Sequence, residues 1–140
     1  MIRNEELMIG DWVRIKSDKE PDDAYWLHDM QPGQALKVTE ILSYGINPDW
    51  CCGEINDCVP EDAIEPIPLT PEILEKNGFK PGIISWILWD EETDECLIML
   101  KRINNAFIFP PLAGMSFGIQ YVHELQHLFR LGGIEKSIEL

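Results

Sequence analysis

Residues 83–109 read "IISWILWDEETDECLIMLKRINNAFIF", and this stretch decides the fold of the second half of the chain. Runs rich in large apolar residues are separated by the acidic turn "DEETDE" and by the polar "RINN". Apolar runs of about four to eight residues bounded by turn residues are typical of β-strands. We therefore predict a three-stranded antiparallel meander in which the acidic turn is a solvated hairpin.

One helix is predicted on each side of this meander. Within residues 65–79, "EPIPLTPEILEKNGF", Thr70 is expected to cap a short helix that ends at Asn77. A second helix is predicted over residues 117–131, where a Gly-Gly pair follows. Residues 67–140 are therefore predicted to form an α+β module of helix, three-stranded meander and closing helix.

The first half of the chain has the pattern of short strands. Residues 7–15, "LMIGDWVRI", and 34–42, "QALKVTEIL", alternate apolar and polar positions, as half-buried strands do. Frequent Gly and Pro residues separate them, and no helical period is present. For residues 1–66 we predict an SH3-like small β-barrel, so that the whole chain is an α+β protein of two modules.

The last helix contains the pattern H-E-x-x-H within "YVHELQH", residues 121–127. Histidines four positions apart lie on one helical face and can share a zinc ion, here His123 and His127. The glutamate between them, Glu124, would polarise a zinc-bound water as general base. This pattern makes a minimal zinc-dependent hydrolase one hypothesis for the function.

A zinc hydrolase also needs a third protein ligand, and its usual position is not filled. The extended motif requires Gly and His where this chain has Arg130 and Gly133. The nearest downstream acids are Glu135 and Glu139, at an unusual spacing behind the helix. The sequence therefore favours a non-enzymatic role, with the zinc hydrolase as the alternative.

The helical wheel supplies the competing interpretation. One broad side is apolar and is expected to pack against the sheet: Tyr121, Val122, Leu125, Leu128 and Phe129. The opposite side is polar and is expected to face solvent: His123, Gln126, His127 and Arg130. On this interpretation the histidines are surface residues and hold no metal.

The charge of the chain limits the class of partner. The net charge is −14, and residues 1–66 have 15 acidic and 5 basic residues, a net −10. Such a surface repels phosphate backbones, because nucleic-acid binding depends on Lys and Arg. We expect the partner to be a protein or peptide, preferably a basic one, and not a nucleic acid. The sequence does not specify an oligomeric state.

Four aromatic residues of the first half are candidates for contact with such a partner. Small barrels use aromatic side chains beside acids to hold proline-rich or cationic peptides. The candidates lie in predicted loops and strand ends: Tyr25, Trp26, Tyr44 and Trp50. The alternative is that the two tryptophans close the barrel core.

Cellular location is inferred from what the sequence contains near its start and from its cysteines. The N-terminal stretch "MIRNEELMIG" is charged and lacks the apolar run of a signal peptide. The cysteines Cys51, Cys52, Cys58 and Cys96 form no C-x-x-C pair, and reduced thiols are expected. We predict a cytoplasmic protein without a membrane segment and without a cofactor, zinc being the alternative.

Two stretches, "EPIPLTPEILEKNGF" and "YVHELQHLFRLGGIEKSIEL", carry a resemblance. Together with the strands between them, they resemble a group of small uncharacterised proteins of Bacteroides-type bacteria and their phages and mobile elements. The resemblance covers most of the chain and implies no particular activity. It is compatible with a protein that is encoded by, or acts on, a phage or mobile element. The function predicted is therefore a non-enzymatic interaction protein of this kind.

Overall fold

The computed structural model describes residues 2–18, 31–43, 45–48, 59–103, 106–109 and 117–140. By the packing of its backbone the chain divides into two compact units, Met1–Ile67 and Pro68–Leu140. Among these described residues, each unit forms one five-stranded antiparallel sheet. Within the described ranges, no helix combines the length and apolar character needed to cross a membrane.

The sheet of the first unit has the strand order β4-β3-β2-β1-β5. Its strands are β1 (Trp12–Ile15), β2 (Ala35–Leu42), β3 (Gly45–Pro48), β4 (Val59–Pro60) and β5 (Ile64–Pro66). Short 3-10 turns occupy Asn4–Glu6 and Glu61–Ala63. Alternate residues of each longer strand are buried, as the alternating pattern of the sequence predicts.

One buried apolar cluster holds this unit together. It consists of Ile2, Leu7, Val13, Ile15, Leu36, Val38, Ile46, Val59, Ala63 and Ile64. The cross-strand pair Val13 and Leu36 lies at its centre. The entry to β1 is held by the buried Asp11, whose carboxylate accepts a 2.8 Å hydrogen bond from the backbone N–H of Met8.

The predicted SH3-like barrel is wrong. The described strands form an open sheet whose edges are β4 and β5, and no pairing among the described residues closes it. These edge strands have two and three residues and are separated by a 3-10 turn. Closure of a barrel requires a ladder between its end strands, and strands this short offer few backbone groups for one.

The described residues of the second unit form two helices and a sheet of strand order β10-β9-β8-β7-β6. Its elements are α1 (Pro71–Lys76), β6 (Phe79–Pro81), β7 (Ser85–Trp89), β8 (Cys96–Ile103), β9 (Ala106–Phe109), β10 (Phe117–Ile119) and α2 (Val122–Leu131). The strands β7, β8 and β9 are those that the sequence predicts. The three-stranded meander is nevertheless wrong, because β6 and β10 extend it to five strands. The chain is mostly β rather than a barrel followed by helix, meander and helix.

The two added strands explain where the prediction failed. Both have three residues, too few to show a period of two in the sequence. Residues 117–119 are strand β10, so the last helix begins at Val122 rather than at residue 117. The cap of α1 is confirmed, since the Thr70 hydroxyl accepts the N–H of Ile73 at 3.3 Å.

The helix α2 packs on one face of this sheet, called the inner face. The buried residues of that face are Phe79, Leu88, Ile98, Leu100, Phe107 and Ile119. The ring of Phe129 in α2 stacks on Phe79 with the ring centroids 6.2 Å apart. The predicted burial of Leu125 and Phe129 is confirmed.

Candidate functional site

The glutamate of H-E-x-x-H lies in the first turn of α2 and holds the start of the helix. One carboxylate oxygen of Glu124 accepts backbone hydrogen bonds from Gln120 at 2.7 Å and from Tyr121 at 3.1 Å. Tyr121 is the N-cap residue, so Glu124 occupies the third helical position, where a carboxylate satisfies N–H groups outside the helix. A peptidase with this motif would use the glutamate as its general base. Here the Glu124 carboxylate instead forms hydrogen bonds with the backbone at the start of the helix.

The first histidine of the motif is buried, contrary to the wheel. His123 is 5% exposed, and Gln126 is also buried. The predicted solvent-facing position of these two side chains is therefore wrong. Around the helix axis, the centre of the buried side of α2 is rotated by roughly 70° from the centre of the predicted side. This rotation is smaller than the angle of about 100° between successive residues of a helix. The wheel weighs hydropathy alone and places Phe129 correctly, but it does not contain the shape of the sheet surface that the helix meets.

The two histidines lie close to each other, as their spacing requires. The ring centroids of His123 and His127 are 5.6 Å apart and the rings are nearly perpendicular. The His123 ring also stacks on the Tyr121 ring, with centroids 5.9 Å apart. In the part of the chain that the structure describes, no group of three His, Cys, Asp or Glu side chains is placed to hold a metal. Glu135 and Glu139, the candidate third ligands, are exposed.

Beside α2 there is a groove, which we call the α2 groove. It has a volume of about 470 Å³ and lies between the helix and strands β9 and β10. Its lining residues are Phe109, Gly118, Ile119, Glu124, His127, Leu128, Leu131 and Gly132. Most of this lining is apolar, and Glu124 and His127 are its ionisable members. Leu131, at its end, is 87% exposed.

The strand that borders the α2 groove is the edge of its sheet. β10 pairs with β9 on one side through Gly118 and Ile108. Just beyond it, the carbonyl of Gln120 accepts the N–H of Leu69 at 2.8 Å. Gly118 itself is exposed. An edge strand beside an apolar groove is the arrangement that proteins use to receive an extended peptide.

A second apolar surface, exposed in part, lies on the sheet face opposite α2, called here the outer face; Ile87, Met99 and Ile108 in it are half-buried. It consists of Ile87, Trp89, Leu97, Met99, Ile103 and Ile108, which strand alternation places together. Trp89, Leu97 and Ile103 are among the exposed large apolar residues of the chain. Contiguous apolar surface of this kind marks an interaction site more often than isolated apolar residues do.

The predicted aromatic candidates Tyr25, Trp26, Tyr44 and Trp50 lie outside the described residues, as do Cys51, Cys52 and Cys58. Cys96 is an exposed free thiol. One aromatic contact that the sequence did not single out is present in the first unit. The ammonium of Lys37 lies 5.9 Å from the centroid of the Trp12 ring, its cross-strand neighbour.

Comparison with known proteins finds no match for this chain among protein-family models, curated proteins or solved structures. The resemblance to proteins of Bacteroides-type bacteria stays a prediction. The sequence also missed a residue that completes the α2 groove, Leu131. The sequence did contain a signal for Leu131. It lies seven positions after Glu124 and therefore on the same side of the helix, where it is an apolar residue on an otherwise polar side.

Proposed function

We propose that this protein is a non-enzymatic binding protein whose α2 groove receives an extended, basic segment of a partner protein. The observation that carries this proposal is an open apolar groove that contains a carboxylate and borders an edge strand. The resemblance of the sequence to proteins of phages and mobile elements makes such an element the expected source of the partner.

The chemistry of the groove matches a lysine or arginine side chain. The aliphatic stem of either residue packs well on apolar walls such as Leu128 and Leu131, while its charge stays near water. Glu124 supplies a negative charge within the same groove. The net charge of −14 adds a long-range attraction for a basic segment and repels acidic ones.

The backbone of β10 supports an extended rather than a helical segment. A segment that pairs with an edge strand places alternate side chains on one side. Here that side is the α2 groove, because Phe109 and Ile119 point to the inner face that α2 covers. In a segment where basic and apolar residues alternate, one of these two sets of side chains would therefore enter the groove and the other would stay in solvent.

The alternative of a zinc hydrolase is less well supported by the geometry. Its general base would be Glu124, and that carboxylate already accepts the N–H groups of Gln120 and Tyr121. Its first ligand would be His123, which is buried beside Tyr121. The arrangement favours a role for this motif in starting a helix and lining a groove.

The test is a fluorescence-anisotropy titration with a labelled peptide of alternating valine and lysine. We expect binding that Leu131→Glu weakens at least tenfold, because the exposed wall of the groove becomes charged. Ile83→Glu is the matched control, since Ile83 is fully exposed in the β6–β7 turn and does not line the groove. It should leave binding unchanged.

Three further ligands test whether the groove selects for positive charge. Replacement of lysine by glutamate in the peptide should abolish binding, and duplex DNA should not bind at about physiological salt. An uncharged peptide with the sequence of residues 110–116 should bind far more weakly than the basic one. Equal binding of this uncharged peptide, or an affinity indifferent to Leu131→Glu, would contradict the proposal.

A further inference from the structure

The outer face of the second sheet has apolar residues at positions that are usually polar when only one face of a sheet is covered. Antiparallel sheets with one covered face normally carry polar side chains on the other. Here the pair Ile87 and Met99 lies on the outer face, and Ile108 follows on the next strand. Ile103, on the same face, is 52% exposed. An apolar sheet face of this kind is suited to cover by another protein surface.

Acidic side chains cluster at one end of this face and Lys101 lies toward the other, while Lys80, paired with Ile87, lines one pocket with the acidic hairpin. The β7–β8 hairpin, residues 90–95, carries Asp90, Glu91, Glu92, Asp94 and Glu95. Lys101 lies on the outer face of β8, paired with Ser85 at the far end of β7. Five residues of strand separate Lys101 from Cys96 at the hairpin end, roughly 17 Å. The ion pairs found in the described residues lie elsewhere, at Arg3–Glu6 and Arg14–Glu65.

We propose that the outer face binds a second copy of this chain, with the two sheets packed face to face and their strands running in opposite directions. A two-fold axis makes such an interface self-complementary, because each copy offers the same patch. In this arrangement Lys101 of each copy lies opposite the acidic hairpin of the other. The apolar pair between them, Ile87 and Met99, forms the centre of the contact.

The charge distribution selects this arrangement over the parallel one. If the strands ran in the same direction, the two acidic hairpins would face each other, and like charges in contact oppose association. The net charge of −14 also repels two copies at long range. About 0.15 M salt reduces the screening length to about 8 Å, so that charges beyond the interface contribute little.

This interface is independent of the α2 groove. The groove lies on the inner side of the sheet, where α2 packs, and the outer face lies on the other side. A self-associated chain therefore keeps its groove open to a peptide. Loss of one activity leaves the other intact, and the two proposals fail separately.

Sedimentation velocity over a range of concentrations at about 0.15 M salt tests the proposal. We expect the wild-type chain to shift from monomer to dimer as concentration rises. Ile103→Glu should weaken the dimer at least tenfold, because it places a carboxylate beside Lys101, at the end of the face that meets the acidic hairpin of the other copy. Leu131→Glu, in the groove on the other side of the sheet, should dimerise like wild type while losing the peptide.

A charge exchange tests the arrangement of the two copies. Lys101→Glu should weaken the dimer, since it faces the acidic hairpin of the other copy. The combination of Lys101→Glu with Glu91→Lys and Glu92→Lys should restore it. Circular dichroism shows whether each variant is folded, and Leu97→Lys replaces Ile103→Glu if the latter unfolds. A chain that stays monomeric at every concentration, a dimer indifferent to the apolar substitutions, or absence of rescue would overturn the proposal.

Discussion

The side-chain amide of Asn77 exchanges two hydrogen bonds with the backbone of Glu139, each 2.7 Å long. The Asn77 amide nitrogen also donates to the carbonyl of Ile73 at 2.7 Å. Asn77 is 2% exposed, so these bonds are shielded from water. Asn77 thus ends α1 and also links this helix to the stretch around the buried Ile138.

We expect Asn77→Ala to lower the free energy of unfolding by about 1–3 kcal/mol, since it leaves backbone groups of Glu139 without their partner. Lys76→Ala is the matched control: the exposed Lys76 ammonium donates to the carbonyl of Leu140. That control should cost only a few tenths of a kcal/mol. Urea unfolding measures both, and equal losses would show that the Asn77 bonds contribute no more than a surface contact.

Truncation of Phe129 should be far more costly than truncation of His127. Phe129 is buried against Phe79, and its replacement by alanine should lower stability by about 3–5 kcal/mol. His127 is only half-buried, and its loss should matter little. His123→Ala should fall between them, because its buried ring packs beside Tyr121. Thermal unfolding of the three variants gives the order, and equal costs at His123 and His127 would contradict the burial pattern.

The cap formed by Glu124 predicts a difference between two substitutions at that position. Glu124→Ala removes the acceptor of the Gln120 and Tyr121 N–H groups and should cost about 1 kcal/mol. Glu124→Gln keeps an acceptor oxygen at the same place and should retain most of that stability. Chemical denaturation measures the pair. The same loss in both variants would show that the cap does not contribute to folding.

Glu72 should titrate below its ordinary pKa. The backbone N–H at its own position is the largest cause, followed by the Thr70 hydroxyl, and Arg102 adds a weaker attraction. Because the folded pKa is depressed, the stabilisation is present above the unfolded pKa of about 4.3 and is lost as the pH falls through the folded pKa. Thr70→Val should raise the pKa of Glu72. NMR titration of the Glu72 carboxyl carbon checks both statements.

Protein purified without added metal should contain far less than one zinc per chain. Two imidazoles that share no third ligand among the described residues hold zinc weakly. Elemental analysis before and after mild chelation gives the zinc content directly. Stoichiometric zinc that survives chelation, together with peptidase activity lost in Glu124→Gln, would favour the hydrolase instead.

Much of the second unit could be predicted from sequence because its signals are local. The strands β7, β8 and β9 are long enough to show apolar runs, and Thr70 precedes a proline that cannot continue a strand ladder. The three-residue strands β6 and β10 had no such signal. Their pairing depends on residues far along the chain, such as Phe107 opposite Ile119. Closure of the first sheet was predicted wrongly for another reason: its edge strands β4 and β5 have only two and three residues.

The candidate site divides in a similar way. The motif placed His123, Glu124 and His127 on one helix, and its spacing correctly implied that the two histidines are neighbours. The groove beside them needs Phe109 from β9 and Ile119 from β10, which are distant in sequence from Leu131. No pattern within a short window contains that combination.

The sequence by itself determined where the longer strands run, how α1 begins, and that the chain is strongly acidic. These properties follow from side-chain alternation, capping and charge, which act between near neighbours. Only the tertiary structure decided that His123 is buried while Leu131 is exposed. The orientation of a helix is set by the shape of the surface it meets. The buried side of α2 therefore includes His123 and Gln126 as well as Phe129, which stacks on Phe79.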